Sequence, residues 1–143
     1  MFSDFQHILI PLDFTERNDA VLEAAYDLAA ETNTRLTLIH VVEPIGDGSD
    51  KELATFTQKL SKDAEEQLRA RAARFDDLDI SIACENRVGK RNAEIVAFAT
   101  DEKVDLILMN THLITAETAP RSAFSLSHQV ALLAPCAILM MKS

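Results

Sequence analysis

The residues best placed to do chemistry stand at the ends of apolar runs. Asp13 follows HILIPL (His7 to Leu12), and His112 follows LILMNT (Leu106 to Thr111). In an α/β chain such positions fall at the carboxyl rim of a parallel sheet, where ligands bind. A carboxylate at Asp13 bonds a ribose or an amide there, or else caps the next helix. His112 stands on a rim loop, the part of this architecture that carries function. The stretch LILMNTHLITAETAPRSAFS, Leu106 to Ser125, begins as a buried strand and ends as a helix, with no glycine between. Phosphate loops in that place rely on glycine to bring backbone N–H groups onto the ligand.

Other catalytic patterns are absent from the sequence. Pro11, Leu12, Asp13 and Phe14 stand where a G-x-G-x-x-G would follow the first strand. There is no phosphate-loop lysine motif and no G-x-S-x-G elbow. Cys84 and Cys136 stand alone, and no close histidine pair suggests zinc. His40 lies inside an apolar run and reads as a hydrogen-bonded core histidine. No nucleophile–base pair and no adjacent carboxylate pair emerges. The chain is therefore expected to have no catalytic residues and no metal site and not to be an enzyme; weak nucleotide hydrolysis is the least favoured alternative.

The elements that must position these residues alternate. HILIPL, RLTLIHVV (Arg35 to Val42) and Val104 to Met109 are continuous apolar runs, as expected of strands covered on both faces. Thr15 to about Thr32 has helical spacing at Val21, Leu22, Ala24, Ala25, Leu28 and Ala29, with Thr15 as N-cap. Ser49 to Glu52 has the form of a capping box. The helix it opens, to about Phe75, carries Leu53, Phe56, Leu60, Ala64 and Leu68 on one stripe, expected to face the core. Asp79 to Val88 alternates, with Ile80, Ile82, Cys84 and Val88 on the apolar side, and reads as an edge strand. A short helix over Ala93 to Thr100, capped by Asn92, and a last helix over about Arg121 to Leu133, stopped by Pro135, complete the pattern with CAILMM (Cys136 to Met141) as fifth strand. The order β-α-β-α-β-α-β-α-β predicts a single-domain (residues 1–143) α/β fold: an open, parallel, five-stranded sheet with helices on both faces.

Composition narrows the function classes. A net charge of −9 and a pI near 4.8 argue against nucleic acid as the main partner. Arg87, Lys90 and Arg91 form a local basic cluster that reads as a solvated loop. No apolar run approaches the roughly 20 residues that span a bilayer, the first residues lack a secretory pattern, and two lone cysteines suit a reducing compartment. A soluble, cytoplasmic protein with no membrane partner is expected.

Five segments in order resemble the universal stress protein family of the UspA-like kind. HILIPLDFTERNDAVLEAAYDLA is similar to that family's opening strand and helix, and LTLIHVVEP to its second strand. RVGKRNAEIVAFA resembles the segment with a turn glycine and an A-E-I helix, DLILMNTH the family's D-L-I-V-M-G-T-H, and VALLAPCAILMMK its ending. The resemblance implies the strand order 3-2-1-4-5, with the fifth strand at an edge. It also implies a homodimer in which that strand, residues 136–142, pairs with its copy. An apolar edge such as CAILMM is an aggregation hazard unless paired. ATP-binding members carry G-x2-G-x9-G-[S/T] after the fourth strand. Here the first glycine position is Asn110 and the second Leu113. The last pair falls on Phe124 and Ser125, one residue off the family spacing, so only the hydroxyl of Ser125 persists. Pro11, Asp13 and Val41 match positions that contact adenine or ribose in nucleotide-binding relatives, or persist as determinants of the fold. The resemblance thus implies a stress-response module that does not bind ATP through the family loop, needs no cofactor and acts through protein partners. The alternative is an adenine-nucleotide binder, of ATP or AMP with or without Mg²⁺, using a degenerate pocket of Pro11, Asp13, Val41, Asn110, His112 and Ser125.

Overall fold

A computed structural model of the chain describes residues 5–111 and 125–142. Its strands are β1 (His7–Pro11), β2 (Arg35–Val42), β3 (Ile82–Val88), β4 (Leu106–Thr111) and β5 (Ala137–Lys142). Its helices are α1 (Asn18–Thr32), α2 (Lys51–Ala72) with a 3₁₀ turn at Ala73–Phe75, α3 (Arg91–Asp101) and α4 (Leu126–Leu133). The sheet runs β3-β2-β1-β4-β5, the order that the resemblance implies, and every pairing is parallel, as the alternation of strands and helices predicts. The part of the last helix expected over 121–124 lies outside the described residues.

The continuous apolar strands split their side chains between two layers. Ile8, Ile10, Leu36, Leu38, Leu106 and Leu108 pack against Val21, Leu22, Ala25 and Ala29 of α1 and Leu68 of α2. The alternate residues Leu9, Ile39, Val41, Ile107 and Met109 pack against Ile95, Phe98 and Ala99 of α3 and Val130 of α4. A period of two on a strand covered twice leaves no polar alternation in the sequence. Among the described residues no helix is long and apolar enough to cross a membrane.

Local expectations needed correction in several places. Thr15 does not cap α1: Arg17 holds the N-cap position, and the Thr15 hydroxyl donates to Asp13 Oδ1 instead. Asp50, not Ser49, caps α2, accepting from the N–H groups of Glu52 and Leu53. Lys90 precedes α3, and the Asn92 carboxamide donates to Gln129 of α4. On the α2 stripe only Ala64 and Leu68 are buried, whereas Phe56 is 48% and Leu60 37% exposed. A helix of this length runs about 33 Å while β2 covers about 26 Å, so one end of α2 overhangs, and burial places the overhang in its first half. On β3, Cys84 and Val88 are exposed rather than turned to a core. Cys84 on one edge and Cys136 beside the other are both free thiols, separated by four strand spacings of ~4.8 Å, beyond the ~7 Å reach of a disulfide.

Two polar clusters hold the start of the sheet. The Asp105 carboxylate accepts from the N–H groups of Gln6 (2.8 Å) and His7 (3.0 Å), tying the entry of β1 to that of β4. The His7 ring is 4% exposed. Its Nδ1 lies 2.8 Å from Arg35 Nη2 and 3.3 Å from the Glu102 carbonyl, and its Nε2 lies 2.7 Å from Thr37 Oγ1. Burial pulls the His7 pKa below 6.5, and the neighbouring Arg35 charge adds to the shift.

Two outcomes are expected. Asp105→Ala strands two backbone donors and should cost about 1–3 kcal/mol in urea denaturation. The unfolded chain takes up the His7 proton more readily than the folded one. Stability from this group is therefore full above its unfolded pKa and is lost as pH falls below about 6.5. His7→Asn should flatten the fall in unfolding free energy between pH 7 and 5, measured by denaturant titration at each pH.

Candidate functional site

The carboxyl ends of β1, β2 and β4 open onto a cavity of about 350 Å³. It sits where the chain leaves β1 for one face and β4 for the other, with β1 and β4 side by side in the sheet. Such a crevice is the expected ligand position in an open parallel sheet, and its size is that of a small-molecule site. Pro11, Asp13, Val41, Asn110 and Ser125 all line it; His112 lies outside the described residues. Four further polar residues reach it that the sequence did not single out: Arg17, Asn18, Thr111 and Ser127. His40, expected in the core, is half-buried and lines the cavity too.

Asn18 organises the β1–α1 side. It is 2% exposed at the first position of α1. Its Oδ1 accepts from the N–H groups of Asp13 (3.0 Å) and Phe14 (2.8 Å), and its Nδ2 donates to Asn110 Oδ1 at 3.1 Å. Asn110 Nδ2 in turn donates to the Arg17 carbonyl at 2.7 Å. Two carboxamides therefore latch the end of β4 to the turn after β1. The turn needs holding, because Phe14 sits at φ 66°, in the left-handed region that a bulky side chain disfavours. Such strain costs about 1–3 kcal/mol and persists only where its surroundings impose it. The signal for Asn18 was present in the sequence: asparagine is a poor helix-interior residue and a good terminus residue.

Asp13 is oriented by Thr15, whose N–H and hydroxyl both donate to Oδ1 at 2.9 and 2.7 Å. Burial pushes its carboxyl up, but these bonds outweigh burial and hold it below the usual carboxylate range. It is an acceptor at neutral pH. Across the cavity, Ser125 caps α4 by accepting from the His128 N–H at 3.3 Å. Ser125 Oγ, Ser127 Oγ and Thr111 Oγ1 form a chain at 3.2 and 2.8 Å. The cavity thus joins a fixed carboxylate, a row of hydroxyls at a helix N-terminus, and the side chains of Arg17 and Arg91. Among the described residues it contains groups for binding and no nucleophile–base pair with a bond between them. Among the described residues no cluster of three or more His, Cys, Asp or Glu could hold a metal ion.

Comparison with known proteins agrees with this fold. The universal stress protein family profile matches residues 4–142. UspA from Lactobacillus plantarum superposes with a TM-score of 0.81 at 20% identity, over 96% of this chain and 97% of that one. A universal stress protein solved in complex with cAMP gives 0.74 at 19% identity, over 96% and 97% of the two chains. One from Archaeoglobus fulgidus in complex with dAMP gives 0.68 at 17% identity, over 95% and 97%. At these identities the likeness speaks for the fold. No curated protein sequence matches the chain. With the family profile running along nearly its whole length, the chain belongs to the universal stress protein family.

Proposed function

We propose that this chain is a cytoplasmic, homodimeric stress-response module that does not hold ATP through the family loop and works by contacting protein partners rather than by turnover. The observation that supports it is the latch at Asn110. In the ATP-binding pattern a glycine at this position leaves the backbone open to phosphate. Here the Asn110 side chain covers it and is committed to Asn18 and the Arg17 carbonyl. A triphosphate reaching that backbone would have to break both bonds. The exposed apolar edge supports the dimer: Leu139 is 39% and Met140 38% exposed on β5, beside Leu132 and Leu133 of α4. Pairing two β5 strands antiparallel about a two-fold axis closes that edge.

One observation favours a second reading, a mononucleotide in the rim cavity. Pro11, Asp13, Val41 and Ser125 converge on a space of about 350 Å³ despite the latch, and relatives of the same fold were solved with cAMP and dAMP. On this reading a nucleoside with one phosphate occupies that space and Asn110 keeps its bonds.

A thermal-shift series separates the readings. A ligand at 100 times its Kd adds about 2.7 kcal/mol to stability. Millimolar Mg²⁺–ATP is expected to give no shift; a shift under AMP but not ATP would select the second reading, and a large shift under ATP would overturn the first. For assembly, light scattering at micromolar concentration should report a dimer. Leu139→Pro, which removes an N–H from the outer edge or its support, should lower the mass toward that of the monomer. A monomeric wild type would contradict the dimer.

A further inference from the structure

At the edge opposite β5, β3 has β2 on one side, and among the described residues no strand on the other. Its register with β2 runs from Ile82 to Val88 without a bulge. The Leu36 N–H donates to the Ser81 carbonyl, and the Gly89 N–H donates to the Val42 carbonyl. In a parallel ladder the N–H and C=O of one residue point to the same side. Residues 81, 83, 85, 87 and 89 therefore turn these groups to β2, while Ile82, Cys84, Asn86 and Val88 turn theirs outward. The side chains alternate between the two faces of the sheet. On the α3 face, Arg87 lies over the Phe98 ring at 5.2 Å and pairs with Glu85 at 3.1 Å and Glu94 at 3.5 Å. On the α2 face, Asn86 donates to Ser61, Cys84 is exposed and Val88 is 49% exposed. A strand that presents unpaired bonding groups together with an apolar side chain is a template for another strand.

We propose that β3 pairs antiparallel with β3 of a second copy of this chain, about a two-fold axis at Asn86. Outward groups must meet outward groups, which near the middle of the strand puts the axis at Cys84, Glu85 or Asn86. With the axis at Glu85, two carboxylates of like charge stand directly opposite, which destabilises the pair. With the axis at Cys84, Glu85 meets the partner's Ala83 and no charges pair. With the axis at Asn86, Glu85 meets the partner's Arg87, and Arg87 meets the partner's Glu85. These are the non-hydrogen-bonded positions of the ladder, where Cα atoms come within about 4.5 Å and side chains are closest. Asn86 and the partner's Asn86 then exchange both backbone bonds, and Cys84 stands opposite the partner's Val88. Charge selects the register, and the exposed Val88 gains an apolar neighbour. This pairing goes beyond the β5 dimer and does not depend on it. Five residues a side make a small contact, so β3 should pair at higher concentration than β5. Where both edges pair, copies add in an open row instead of closing.

Val88→Cys tests the register. Within one chain the new thiol stands four residues from Cys84, about 13 Å along a strand and beyond the ~7 Å reach of a disulfide. Across the proposed pair the two face each other at about 5.5 Å, within that reach. Oxidation of the concentrated variant with diamide should give a covalent dimer, and mass spectrometry of its peptides should join Cys84 to position 88. The wild type treated alike should form no link through Cys84. Adding Glu85→Lys places an ammonium opposite the partner's Arg87 and should cut the yield about tenfold, with circular dichroism reporting the fold. In the wild type, light scattering at rising concentration should show a mass that grows and that falls back when salt is added, which requires no variant to fold. A folded Val88→Cys variant that forms no such link, or a wild type linked through two copies of Cys84, would overturn the proposal. So would a yield indifferent to Glu85→Lys, or a wild-type mass that stays constant with concentration and salt.

Discussion

The functional end of this fold depends on one buried carboxamide. Asn18 must satisfy two backbone N–H groups of a turn that holds Phe14 at positive φ, and it does so from a position almost without solvent. Without that acceptor the N–H groups of Asp13 and Phe14 lose their partner, and the strained Phe14 is left to the Asp13–Thr15 bonds and the Arg71 contact with its carbonyl. The remaining N–H of Asn18 then fixes Asn110, and through it the exit of β4. A single side chain thereby ties the turn after β1 to the end of β4.

That arrangement gives a physical reason for separating two properties that go together in the ATP-binding pattern. A glycine at the end of β4 serves phosphate by having no side chain. An asparagine there serves the protein itself, closing a hydrogen-bond circuit with the β1–α1 turn. The circuit leaves the nucleoside-sized part of the crevice open, lined by Pro11, Asp13 and Val41. The Asn18–Asn110 circuit and a cavity of small-molecule size are therefore compatible. At the far edge, β5 leaves Leu139 and Met140 partly exposed.

Much of the fold was legible from the strands. β1, β2 and β4 are continuous apolar runs because their alternate residues enter two different cores, and this alone separates central strands from the alternating β3. Asp13 was legible as a rim residue because it ends such a run, and Asn110 came only from the family resemblance, as the first glycine position. The α2 stripe misled, since periodicity gives a helix face but not how far the sheet extends beneath it; Phe56 and Leu60 lie on the overhang. Helix starts misled for a related reason. Thr15, Ser49 and Asn92 are all suitable caps by type, but each is drawn into a different local bond or displaced by a neighbour. Asn18 and His40 were underread because their roles come from partners remote in sequence, at Asn110 and Phe14.

The coupling between the two carboxamides tests this account most directly. A double-mutant cycle of Asn18→Ala and Asn110→Ala, read by urea denaturation, isolates their interaction from their separate contacts. Residues sharing one hydrogen-bond network couple by about 0.5–3 kcal/mol. The account predicts a value inside that range, with the double variant less destabilised than the sum of the singles. Additivity of the two changes would show that Asn110 is not latched to Asn18 and would contradict it.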